Sequence, residues 1–152
     1  MHAENLRAGL RAGAVAGALS GLPSTLHAVV TGRSPLDAVR SAGTLLLPDD
    51  APSFPLVVAG AAAHGAVSLG WGVVLAALLP RRRPVIWGTF AGLVIAAIDL
   101  GVLGRRWPRI RALPVVPQIA DHVAYGALAG AVLSRAVPRP GARRARIGAR
   151  QC

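Results

Sequence analysis

The sequence predicts an all-α fold, a four-span transmembrane helix bundle, and three observations carry that prediction. Of 152 residues, 53% are hydrophobic and only 15% charged, with a mean hydropathy of +0.52; ordinary soluble domains are roughly 45 to 50% apolar and about 25% charged. Four stretches of about 20 residues are nearly free of charge, the length that crosses a ~30 Å hydrocarbon core at ~1.5 Å per residue. Arginines cluster between these stretches and at the C-terminal end, where membrane-flanking anchors belong. A soluble enzyme, a disulfide-built secreted domain and a disordered basic protein are all disfavoured.

The first span is expected over residues 9–31, since no ionisable side chain other than His27 falls between Arg11 and Arg33. No small-x-small cleavage site follows it, so it reads as a span and not as a signal peptide. Ser34-Pro35 is a helix start, and Leu36, Val39 and Leu46 with Asp37 and Arg40 make residues 35–47 a short amphipathic segment lying at the interface. The second span, 56–79, stops sharply at Pro80-Arg81-Arg82-Arg83. The third, 85–104, holds Asp99, and the fourth, 115–137, holds Asp121 beside His122. Residues 1–137 thus form one transmembrane domain, and the arginine-rich segment 138–152, with Pro140 and Gly141, is expected to be disordered.

All 17 basic residues are arginine and the net charge is +11. With so much Ala, Gly and Val, part of that basicity reflects codon bias, and nucleic acid is not expected as a partner. Eleven arginines flank the side that carries the termini and six the other, which predicts cytoplasmic termini in the plasma membrane. The four arginines from Arg105 to Arg111 run against that bias. Together with the tail they are candidates for contact with anionic lipid head groups, the bilayer being the main expected partner. The single cysteine, Cys152, excludes an intramolecular disulfide or a paired-cysteine metal site.

Gly9, Gly13, Gly17 and Gly21 recur every fourth residue and should form a helix-packing ridge; Gly88 with Gly92, Gly126 with Gly130, and Ala62, Ala66 and Gly70 are shorter versions. An offset of 58 residues matches the second span to the fourth at ten of 25 positions, placing His64 on His122, and Gly13, Ala16 and Gly17 resemble Gly88, Ala91 and Gly92. This suggests a duplicated helical hairpin related by an axis along the membrane normal.

Five ionisable residues, His27, His64, Asp99, Asp121 and His122, are expected at depths of roughly 6 to 12 Å from the outer ends of their spans. Ser20, Ser24, His27 and Thr31 fall on one helical stripe, and Gln118, Asp121, His122 and Tyr125 on another. Pro23 interrupts the first span and frees the carbonyl of Leu19. Buried charges need partners in lipid, so Asp99 is expected to pair with His64 or His122, leaving Asp121 as the neutral acid. The layer is either polar glue between helices or a proton, ion or small-solute transport site. Zinc held by His and Asp, or haem between His64 and His122, are weaker readings. No cofactor or metal is assigned, and no catalytic residue, for there is neither a nucleophile elbow nor a phosphate-binding glycine loop.

Gly-Leu-Pro-Ser-Thr-Leu-His at residues 21–27, together with Asp121-His122, resembles small four-helix integral membrane proteins of actinobacteria. The likeness covers nearly the whole chain. It implies the compartment and the helix count and carries no activity, so the expected role is structural or interactive, with transport as the alternative.

Overall fold

The computed structural model describes residues 3–136, and among these all regular structure is helical. The helices are α1 (Ala3–Ser20), α2 (Leu22–Val30), α3 (Asp37–Gly43), α4 (Ser53–Leu78), α5 (Pro84–Ile98), α6 (Pro108–Arg111) and α7 (Val115–Ala136). A π-helical turn, Asp99–Leu103, and a 3₁₀ turn, Gly104–Arg106, extend α5. Three helical segments are long and apolar enough to cross a membrane: Ala3–Val30, Ser53–Leu78 and Pro84–Arg106. Helix α7 has 22 residues but is not among them; Gln118, Asp121 and His122 dilute its hydropathy. The arginine-rich tail, Cys152 and the Pro138-Arg139 part of the repeat lie outside the described residues.

The first span is two helices where one was expected. Pro23 has no N–H to give and takes a first-turn position of α2, so the chain restarts its helix at Leu22 after the junction at Gly21. Helix α2 ends in a Schellman motif: Gly32 adopts a left-handed φ of 69°, the Arg33 N–H reaches the carbonyl of Ala28 at 2.8 Å, and the Gly32 N–H reaches that of Val29.

Lipid offers apolar helices no hydrophobic reason to associate, so packing depends on close backbone approach. Helix α1 lies on α4 through Gly9, Gly13 and Gly17, where a Cβ at Gly9 would fall 2.7 Å from Cα of Val73 and one at Gly17 would fall 2.7 Å from Cβ of Ser68. Helix α5 lies on α7 through Gly88 and Gly92 against Gly126 and Gly130; a Cβ at Gly92 would meet Cα of Val123 at 2.9 Å. Gly21 corrects the expected ridge. It has nothing within 4 Å, because the helix breaks there and the position opens onto a cavity. Ala62, Ala66 and Gly70 are also corrected: they are exposed, and α4 instead buries Leu56, Gly60, Ala63, Ser68, Gly72 and Leu75.

The two glycine seams share one register. The carbonyl of Gly9 sits over Gly72 as that of Pro84 sits over Gly130, and the carbonyl of Ser68 sits over Gly13 as that of Gly126 sits over Gly88. His64 faces Gly17 with its ring nitrogen Nε2, and His122 faces Gly92 with its backbone carbonyl. Each second contact follows from the first by shifting the α1 member 75 residues and the α4 member 58. Where α1, α4, α5 and α7 meet, Ala12, Ala16 and Ala129 are fully buried with Leu75, Ile95 and Tyr125. Large apolar side chains point outward instead, with Val30 70%, Phe54 78%, Leu78 73% and Val116 74% exposed, the inverse of a water-soluble surface and suited to lipid contact.

Helix α3 stands against α4, with Gly43 under Leu56 and Gly60 under Val39, each contact too tight for a Cβ. The loop behind it is tied to α6 by an ion pair between Arg109 and Asp49, and Nη2 of Arg109 donates to the Asp49 carbonyl at 2.7 Å. One of the four arginines that run against the charge bias is therefore committed to an acid.

Candidate functional site: an intramembrane polar cavity

Three departures from regular packing create a cavity of about 390 Å³. The α1–α2 break pulls backbone away at Gly21. The π-helical turn begins at Asp99, and such turns insert an extra residue and are frequent at functional sites. Helix α3 closes the outer flank with Ala38 and Val39. His64, Asp99, Asp121 and His122 all line this space, with Gln118, Ser20 and Ser24 among the polar neighbours and Trp71 and Tyr125 among the aromatic ones.

Four of the five expected polar-layer residues thus come together, and His27 does not. It lines a separate space of about 20 Å³ with Ser34, Asp37 and Gln118. Ser24 and Gln118 line both spaces, so His27 lies past the cavity along the same side of α2.

Each lining ionisable group has a specific partner. His122 Nδ1 lies 2.7 Å from the carbonyl of Gln118, one turn earlier on α7. A carbonyl only accepts, so Nδ1 carries a proton. The other ring nitrogen, Nε2, lies 3.4 Å from Oδ2 of Asp99, so the expected pairing is with His122 and not with His64. A proton placed between them, on the imidazole or on the carboxyl, makes the couple neutral as a whole.

His64 instead directs Nε2 to the carbonyl of Gly17 at 2.9 Å. By the same rule Nε2 is its protonated nitrogen, and Nδ1 remains as the acceptor. The carboxylate of Asp121 accepts the backbone N–H of Ser24 at 2.9 Å. Ser24 is three residues beyond the helix break, and this donor is one that a continuous helix would have paired with the carbonyl of Ser20. Tyr125 donates its hydroxyl to the carbonyl of Ser68, fixing α7 against α4.

Sequence reasoning missed two contributors. Trp71 carries no functional signal in the sequence, and α3 reads as an interfacial helix; both form cavity wall. The signal for α3 was its glycine, Gly43, opposite Gly60 on α4, which permits contact closer than interfacial docking needs. Among the described residues no group of three or more His, Cys, Asp or Glu is arranged to hold a metal ion. Where the haem reading is concerned, the Nε2 of His64 and both ring nitrogens of His122 face protein partners. No protein-family model, curated protein or solved structure matches the chain.

Proposed function

We propose that this chain is a four-span protein of the plasma membrane, built as a duplicated hairpin, that admits a small polar solute into its cavity in a carrier or channel role. The observation that carries the solute reading is the open space of about 390 Å³ at the layer of His64, Asp99, Asp121 and His122, within the ~300 to 1,000 Å³ of typical ligand sites. A layer serving only as glue would be filled by its own side chains. The shared register of the two seams supports the duplication, and broken or widened helices beside a cavity suit a transport role. Helix α7 is the fourth span in this reading, its polar face turned to the cavity and Val116 turned to lipid. The arginine bias then puts the termini in the cytoplasm.

Cysteine labelling tests the cavity. In a Cys152→Ser background, Ser20→Cys and Ala38→Cys line the space, whereas Leu26→Cys points away from it into lipid. The first two are expected to react with a small membrane-impermeant thiol reagent on intact cells and the third to stay silent. Equal silence of all three would make the layer dry and return the polar groups to a purely structural role. That structural reading has its own support, the cross-helix bonds Asp121–Ser24, His64–Gly17 and Tyr125–Ser68. Orientation is tested separately by fusing a reporter after Gln151, which should be active only when cytoplasmic.

A further inference from the structure

The composition of the cavity wall departs from that of the chain. The protein carries 17 arginines and a net charge of +11, yet among the described residues no arginine lines the cavity, while Asp99 and Asp121 both do. We propose that the cavity binds a small monovalent organic cation, of the primary ammonium type, with Asp121 as its counter-charge; this rests on the solute-binding reading above.

The geometry supplies the balance. Asp99 has His122 as its partner at 3.4 Å, and with a proton between them that couple is neutral. His64, with Nε2 donating to Gly17, presents an acceptor on its other nitrogen. Asp121 receives one neutral backbone donor from Ser24 and, among the described residues, no cationic partner closer than the histidines. An intramembrane carboxyl without a counter-charge keeps its proton unless a cation binds beside it, so uptake of a cation would exchange for that proton. The wall is therefore rich in acceptors and able to take up one positive charge. An ammonium group offers that charge with three donors. An anion would meet two acids and, among the described residues, no arginine to hold it.

The aromatic wall selects an organic cation over a hydrated inorganic one. Trp71 and Tyr125 lie in the same lining, where ring faces favour a weakly hydrated cation and cover its carbon skeleton. Among the described residues no group of three or more His, Cys, Asp or Glu is arranged to hold a bare metal ion.

The test uses the full-length protein in mild detergent and follows thermal unfolding against n-propylammonium chloride, its neutral isostere propionamide, and sodium acetate. Propylammonium is expected to give a saturable rise in Tm, at least tenfold tighter than propionamide, and acetate none. Asp121→Asn keeps an oxygen for the Ser24 N–H and removes the charge, so it should weaken propylammonium at least tenfold; Asp49→Asn on the surface should leave it unchanged. Acetate binding as well as propylammonium, no saturable effect of propylammonium, or an undiminished effect in Asp121→Asn would each overturn the proposal. Should Asp121→Asn not fold, the comparison of propylammonium with propionamide on the unaltered protein still decides the charge preference. Equal binding of those two would overturn the cation class while the solute chamber stands, whereas silent cysteines at residues 20 and 38 would remove the chamber itself.

Discussion

The carboxylate of Asp121 on α7 holds the backbone N–H of Ser24, 97 positions earlier in the chain, at 2.9 Å. A side chain from the last helix thus satisfies a donor that Pro23 and the break at Gly21 leave without an intrahelical partner. The bond makes the kink in the first span and the polar face of α7 one structural unit.

That unit predicts that Asp121 is the acid whose loss costs more stability than the loss of Asp99. In Asp99→Ala, His122 relaxes to a neutral imidazole that keeps Nδ1–H on Gln118. In Asp121→Ala, the Ser24 N–H is stranded, a loss of about 1–3 kcal/mol. Thermal unfolding in detergent should therefore show Asp121→Ala below Asp99→Ala, with Asp121→Asn close to the unaltered protein. An Asp99→Ala variant less stable than Asp121→Ala would contradict the capping role.

The two cavity histidines should hold opposite tautomers. His64 carries its proton on Nε2, facing Gly17, and His122 on Nδ1, facing Gln118. Nitrogen-15 NMR of histidine-labelled protein distinguishes the two by chemical shift, with His64→Gln and His122→Gln to assign the signals. Finding His122 protonated on Nε2 alone would break the bond to Gln118 and with it the argument for a shared proton with Asp99.

The seams predict a sharp contrast among glycines. A Cβ at Gly126 would lie 2.8 Å from the Gly92 nitrogen, so Gly126→Ala forces α5 and α7 apart, at a cost of about 1–3 kcal/mol. Gly70, also within a helix, has open space around it, and Gly70→Ala should be neutral or stabilising by up to about 1 kcal/mol. Denaturation of the two variants side by side checks this, and a Gly126→Ala protein as stable as Gly70→Ala would mean that the seam is looser than described.

The Arg109–Asp49 pair is partly exposed on both sides and should contribute less than about 1 kcal/mol. Arg109→Ala is expected to leave the unfolding temperature nearly unchanged while increasing proteolytic cleavage in the loop between α3 and α4, which limited proteolysis measures. A large fall in Tm would show that this contact supports the cavity's outer wall and not merely the loop.

The sequence by itself determined the helices, the close-packing positions of the two seams and the presence of a polar layer, because each depends on local regularities. Charge-poor length sets a span, spacing of four sets a small-residue face, and the step of ~1.5 Å per residue sets depth. Only the tertiary structure decided which faces meet. Helix α4 is apolar all the way round, so nothing in its pattern distinguishes the exposed Ala62, Ala66 and Gly70 from the buried Gly60, Ser68 and Gly72. Rotation of each helix about its own axis was equally hidden, and it assigns Asp99 to His122 and gives His64 to the Gly17 carbonyl. Those pairings follow from how neighbouring backbones approach one another, a property of helix pairs that no single stretch of sequence contains.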